Sequence, residues 1–329
     1  MMELSTREMG KAHLTEQNNI SAKGTKGRLT TGMLVGLCSV LWGLSFYATK
    51  VALNAGITEM ELLALRWSIA AIVFVFLSLT GIVNVDFKGK HIRSAVYVAM
   101  FQPCFYSIFE TWGIGLTTTS ESSLLIATIP LMVLVTGKVL YKRSFSRRTG
   151  FAIILALAGV STCIVFSDGF SFEGKYFGYL IVMVAVLLGS LYCHASANAS
   201  LKFTAMEMTL VMAVSGGIFF DGLNLTLGGR FIGALTQTGS LKVIGAVLFL
   251  GVCCSCICYI IFNYVLGKMN TATASNMIAN STTAVGVISG VVLAKDPFGW
   301  YTVVGLGMTI SGIWLASREE PMDPAEVIH

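Results

Sequence analysis

Apolar stretches of spanning length recur along this chain, separated by short polar breaks. A helix needs roughly 20 apolar residues, rising about 1.5 Å each, to cross the hydrocarbon core of a bilayer. Ten stretches meet that requirement: Thr31–Leu53, Glu61–Thr80, Ile92–Trp112, Thr118–Leu140, Thr149–Ser167, Lys175–Asn198, Met206–Leu227, Leu241–Leu266, Thr271–Ala294 and Phe298–Ser317. Asp221 interrupts the seventh, and a polar run from Asn276 to Thr283 interrupts the ninth, so nine helices is the alternative count. The polar ends, residues 1–30 and 318–329, read as disordered tails. Residues 1–30 have no apolar core of the kind a cleavable leader carries.

Composition sharpens this picture. The chain has 329 residues, 55% of them hydrophobic and 12% charged, with a mean hydropathy of +0.76. Too little polar surface remains to cover a water-soluble domain. The fold class expected is an all-α integral membrane protein.

Positive charge falls on alternate loops. Lys88, Lys90 and Arg93 follow the second stretch, and Lys142, Arg143, Arg147 and Arg148 follow the fourth. The loops Asn54–Met60 and Gly113–Thr117 hold no Lys or Arg. With the N-terminus inside, the 22 basic residues divide into 15 on the cytoplasmic side, 4 outside and 3 within spans (Lys50, Arg66 and Lys138). This bias predicts both termini cytoplasmic, in the plasma (inner) membrane. It also accounts for the net charge of +5 without nucleic acid as a partner.

All eight cysteines lie in the apolar stretches. The run Cys253-Cys254-Ser255-Cys256-Ile257-Cys258 has no His or carboxylate beside it at ligand spacing. Small, soft packing residues are the expectation there, with no metal and no cofactor. No phosphate-binding Gly-x-x-x-x-Gly-Lys-Ser/Thr loop is present, which excludes ATP-driven transport within this chain.

Two halves of five helices have odd parity, so the second enters the membrane upside down relative to the first. That is the layout of an inverted-repeat carrier. At an offset of 153, Tyr106, Thr118, Ser122, Gly137, Val139, Leu140 and Gly159 fall on Tyr259, Thr271, Ser275, Gly290, Val292, Leu293 and Gly312. The domains expected are residues 31–167 and 175–317 between the two tails.

Several ordered motifs then carry a resemblance. Trp42-Gly43-x-x-Phe46-x-x-x-Lys50 opens the first helix, and Leu62-Leu63-Ala64-Leu65-Arg66 the second. Pro130 and Gly137 follow in the fourth, and Leu293-Ala294-Lys295-Asp296 … Gly305 … Gly312 closes the chain. Over about residues 31–317 the sequence resembles the EamA-type family of the drug/metabolite transporter superfamily. The resemblance implies ten transmembrane helices as two inverted five-helix repeats. It implies a transporter that exports or exchanges amino acids or other small metabolites. The chain departs from the pattern at Arg143, where an acid is usual, and at Thr283, where proline is usual.

Ionisable groups inside a membrane are functional candidates by default. Lys50, Arg66, Glu110 and Asp221 are expected at similar depth, near the outer ends of their helices. They read either as a charged outer network or, for Lys50 and Arg66, as side chains snorkelling to the headgroups. Glu110, on its short stem, is expected to be paired with Lys50 or Arg66, or else to carry protons. His194 shares a helix face with Ser190 and Asn198 and is either a proton carrier or a neutral packing residue. Asn276, Asn280 and Thr283 form one stripe of the ninth helix, which lines a wet cavity or makes interhelical hydrogen bonds. Gln102, beside Pro103, and Tyr106 form a similar polar site in the third helix. Trp42 and Tyr259 are aromatic cavity-wall candidates, and plain packing explains them equally well.

The function expected is secondary transport of a small organic metabolite such as an amino acid, by alternating access. The partners are that metabolite and the lipid bilayer, with a homodimer left open. The alternatives are a polytopic lipid-acting enzyme, which needs an interfacial catalytic cluster absent from these spans, and a passive metabolite channel.

Overall fold

The computed structural model describes residues 31–141, 146–167, 175–231, 240–267 and 271–316, and among them the chain is helical with no strand. In chain order the helices are α1 (Thr31–Asn54), α2 (Glu59–Leu79), α3 (Arg93–Ala99 and Tyr106–Leu116, joined by a π turn Met100–Phe105), α4 (Thr119–Ile126 and Ile129–Tyr141) and α5 (Arg147–Val165). The second half holds α6 (Lys175–Ala199), α7 (Ala205–Thr226), α8 (Leu241–Leu248 and Cys258–Leu266, joined by a π turn Phe249–Ile257), α9 (Thr271–Ser289, with a last π turn Gly290–Ala294) and α10 (Trp300–Ala316).

Seven of these, α1, α2, α4, α5, α6, α7 and α8, are long and apolar enough to cross a membrane. The described part of α9 and the whole of α10 are apolar but shorter. In α3, Gln102, Pro103 and Glu110 dilute an otherwise apolar run. The exposed surface carries Ile72, Phe76, Leu79, Phe151, Ile154, Ile218, Leu241 and Val303, while Ser107, Thr119, Ser122, Ser190, Thr209, Ser255 and Thr309 are fully buried. An apolar exterior, with these hydroxyl residues buried among apolar ones, is unlike the surface of a water-soluble bundle, and it suits lipid as solvent. This is a multi-pass integral membrane protein.

Three helices start on the same device. Thr58, Thr118 and Thr204 are N-caps whose hydroxyls accept from the backbone N–H three residues on, while Glu61, Glu121 and Glu207 reach back to the cap N–H. Two of these glutamates also tie α2 to α7 reciprocally. Glu61 accepts from the Arg230 N–H just past the end of α7 at 2.9 Å. Glu207 accepts from the Asp86 N–H just past the end of α2 at 3.0 Å, and Lys90 pairs with it at 2.6 Å. Each helix therefore has its first turn fastened to the segment following the other, so the two lie antiparallel.

A seam of small residues joins α5 to α10. A side chain on Gly159 would meet the Gly305 carbonyl and the Thr309 N–H, and one on Gly312 would meet Ala156 N, each at 2.6 Å. Thr309 donates to Ala156 O at 3.4 Å across the seam. Backbones approach this closely only where no Cβ intervenes. The cysteines do comparable work between α1 and α8. Cys38 Sγ donates to Cys258 O and Cys258 Sγ to Cys38 O, at 3.7 and 3.8 Å.

The structure corrects three local expectations. The break expected at Gly113–Thr117 shrinks, because α3 continues to Leu116 and the chain turns at the extended Thr117. The fourth stretch is not one rod; it breaks at Ala127 and Thr128 just before Pro130, which has no N–H to continue the ladder. The eighth contains a nine-residue π turn.

Candidate functional site

The two helices that carry a π turn at mid-length, α3 and α8, meet there. In α3 the π turn leaves Gln102 with extended φ and ψ, and the Gln102–Pro103 peptide bond is cis. In α8 the Cys254 carbonyl accepts from Trp42 Nε1 of α1 at 3.3 Å, a side-chain insertion of the kind that accompanies wide helical turns. Gln102 Nε2 donates to the hydroxyl of Tyr259, just past the α8 turn.

Around this meeting point is a cavity. Trp42, Ser45 and Phe46 of α1, Arg66 of α2, and Gln102, Tyr106 and Glu110 of α3 line it. So do Ser123 and Ile126 of α4, Gly189, Tyr192 and Cys193 of α6, Tyr259 and Phe262 of α8, and Ile278, Ala279, Thr282 and Thr283 of α9. One wall is a continuous aromatic surface: Trp42 packs edge-on against Tyr259 and Phe262 with centroids 5.3 and 5.1 Å away, and Tyr192 lies 6.0 Å from Phe262.

The opposite chemistry is concentrated in one pair. Arg66 is 5% exposed and points into the bundle. Its Nε donates to Ser255 Oγ at 2.7 Å, its guanidinium lies 5.6 Å from the Trp67 ring centroid, and its Nη1 stands 3.8 Å from Glu110 Oε2. Glu110 Oε1 accepts from the Tyr106 hydroxyl at 2.9 Å. A buried Arg with a carboxylate partner keeps the cavity neutral, where a lone charge would be prohibitively costly. Two polar atoms at the cavity, Gln102 Oε1 and Thr282 Oγ1, are buried without a hydrogen-bond partner. Unpaired buried polar atoms are rare and call for an explanation.

The other residues singled out from the sequence have these places. Trp42, Gln102, Tyr106, Tyr259 and Thr283 line the cavity. His194 lies outside its lining, between α6 and α4, with Nε2 3.1 Å from Thr136 Oγ1 and 3.2 Å from Val133 O. The side chains of Asn276 and Asn280 lie outside the described residues, and Thr283 spends its hydroxyl on Ala279 O at 2.7 Å. Lys50 caps the carbonyl end of α3, donating to Ile114, Gly115 and Thr117 O at 2.9, 2.9 and 2.6 Å. The Ser68 hydroxyl donates to the Asp221 carboxylate, 2.6 and 2.8 Å from its two oxygens. Of the four charges expected in one outer layer, the structure brings Arg66 and Glu110 together, and it brings them to the cavity. Arg143 lies outside the described residues, while Asp296 caps α4 by accepting from Ser120 N at 2.7 Å and Ser120 Oγ at 2.8 Å.

Sequence reasoning passed over Ser123, Tyr192, Phe262 and Thr282. Thr282 is adjacent to Thr283, which the sequence does offer; both line the cavity, but Thr283 spends its hydroxyl on its own helix while that of Thr282 is unpaired.

The model of the EamA-like transporter family matches this sequence twice, over residues 30–165 and 176–318. The chain belongs to the EamA-like transporter family. It is therefore a membrane transporter by family. It is 25% identical over 285 residues to "Uncharacterized transporter YcxC" of Bacillus subtilis (strain 168), an alignment covering 84% of this chain and 89% of that protein. It is 24% identical over 291 residues to an "Uncharacterized transporter" of Archaeoglobus fulgidus, covering 87% and 98%. A solved crystal structure shares the fold, with a TM-score of 0.66 at 16% identity over 88% of this chain and 96% of that one. The two EamA matches divide the chain between α5 and α6, so the cavity draws side chains from both.

Proposed function

We propose that the chain is a secondary carrier for a small organic metabolite, working by alternating access in export or exchange. In this reading ten helices cross the plasma membrane as two inverted five-helix repeats, with both termini cytoplasmic. The observation that carries it is the meeting of Gln102 and Tyr259. Helices interrupted at mid-membrane are tolerated where they line a cavity, and carriers built on inverted repeats place substrate between such helices. Here α3 and α8 are interrupted at corresponding places, and their polar residues face one cavity.

The reciprocal fastening of α2 and α7 supports the inversion. Glu61 is bound at one end of the pair and Glu207 at the other, as a two-fold axis in the membrane plane requires. The charge bias of the loops supports the orientation.

The test is counterflow. Purified protein in liposomes preloaded with a candidate metabolite should take up labelled metabolite in a saturable way, faster than empty-loaded liposomes do. Uptake that never saturates and is indifferent to internal metabolite would mean a channel, and the carrier reading would fall.

A further inference from the structure

The guanidinium of Arg66 is under-used. Ser255 takes its Nε–H. Glu110 stands at 3.8 Å, close enough for charge attraction but beyond hydrogen-bond range. No other hydrogen bond reaches the group among the described residues. An Arg fork has five N–H donors and matches a carboxylate with two parallel bonds, so this one retains its binding face. Glu110 in turn is held by Tyr106 and not by the arginine it neutralises.

The charged and titratable groups around Glu110 are few. Arg66 comes from α2, Tyr106 from its own helix, and Tyr259 and Cys254 from α8. Tyr192 and Cys193 of α6 line the same cavity, and Lys50 of α1 is engaged with the carbonyls ending α3. Arg66 is thus the cation that both Glu110 and an entering anion would share.

We propose that Arg66 docks the carboxylate of a small, flat monoanion, and that the anion takes the place of Glu110, which accepts one proton as it gives up the guanidinium. Before docking the pair is Arg⁺ and Glu⁻. Afterwards it is Arg⁺, ligand carboxylate⁻ and protonated Glu110, the proton coming from solvent. One anion and one proton enter together, so the buried charge stays zero throughout, the condition a low-dielectric cavity imposes. A phosphate dianion would leave one charge uncompensated, and a ligand with its own ammonium would pair with Glu110 and need no proton. The aromatic wall of Trp42, Tyr259 and Phe262 supplies stacking surface for a flat body. Gln102 Oε1 and Thr282 Oγ1, unpaired, supply acceptors for an N–H on it.

The inference rests on the carrier reading, and binding to the purified full-length protein tests it separately. The probe is 4-aminobenzoate, with uncharged 4-aminobenzamide as the shape-matched control. Affinity for 4-aminobenzoate should rise about tenfold for each unit the pH falls between about 8 and about 6, as one linked proton requires. Calorimetry in two buffers of different ionisation enthalpy should give uptake of about one proton per ligand bound. Glu110→Gln should bind with no pH dependence and no proton uptake, and Arg66→Gln should not bind the anion. Should either variant fail to fold, the proton count of the unaltered protein decides alone. Absence of binding, binding without proton uptake, or equal binding of the amide each overturns the proposal. Any of these with saturable counterflow intact rejects only the docking scheme. Proton-linked binding without counterflow rejects only the carrier.

Discussion

Gln102, in the first half of the chain, donates its side-chain N–H to the hydroxyl of Tyr259 in the second. Tyr259 is the residue that an offset of 153 pairs with Tyr106, so the two tyrosines follow the interrupted turns of α3 and α8 in the same way. The bond joins the halves at the cavity, and in the α8 turn the Cys254 carbonyl is satisfied by the Trp42 side chain.

That bond is testable by removing one partner and then both. Tyr259→Phe strands the Gln102 N–H in a buried site and should lower stability by about 1–3 kcal/mol. Adding Gln102→Leu removes the stranded group, and thermal unfolding of the double variant should recover part of the loss. A double variant that loses the full sum of the two single effects would show that the residues do not interact.

The orientation is checked from outside. A cysteine at Asn54, the exposed last residue of α1, should react with a membrane-impermeant thiol reagent applied to intact cells. A cysteine at Ser146, which caps α5, should react only in opened membranes. The native cysteines are mostly buried and should give a low background. Reaction of both new positions from one side would refute the placement of the termini on the cytoplasmic face.

The seam between α5 and α10 predicts a folding defect with no chemical component. Gly312→Val places a branched side chain where Ala156 N is 2.6 Å from the first added carbon, so the helices must separate. Overpacking of this kind costs about 1–3 kcal/mol or more. The yield of monodisperse protein should fall sharply. Gly307→Val on the same helix, where nothing lies within 4 Å, should be tolerated. Equal effects would show that the seam does not hold the helices together.

Much of the helix layout is readable because hydropathy reports what faces lipid, and among the described residues nearly every helical end falls within two residues of the expected one. Relations between helices were not readable in that way. The eighth stretch gives no sign of its wide turn, since no proline marks it; the backbone shows the turn, and Trp42 bonds to Cys254 O within it. Arg66 and Glu110 stand out in the sequence as intramembrane charges, but distance to the helix ends is all that sets their expected depth. Their meeting at the cavity depends on how α2 and α3 are rotated. Lys50 and Asp221 looked equivalent to them, and each instead satisfies groups on a neighbouring helix. Rotation about the axis is set by packing, which one sequence does not display.

Thr282 and Thr283 make the sharpest case of rotation, and they give the last prediction. Thr283 satisfies its hydroxyl on Ala279 O within its own helix. Thr282, one residue earlier, has a buried hydroxyl with no partner at the cavity. Replacing each by valine keeps the shape and deletes the hydroxyl. At Thr282 the deleted group makes no bond in the empty protein, so stability should hold or rise by up to about 1 kcal/mol. Transport affinity should fall by about tenfold, the worth of one hydrogen bond to a bound substrate. At Thr283 the order reverses: a small stability change with affinity intact, because that hydroxyl is already spoken for. Thermal unfolding and concentration-dependent counterflow on the two variants read both quantities. If Thr282→Val leaves affinity unchanged, the unpaired hydroxyl does not face substrate and α9 contributes only packing to the site.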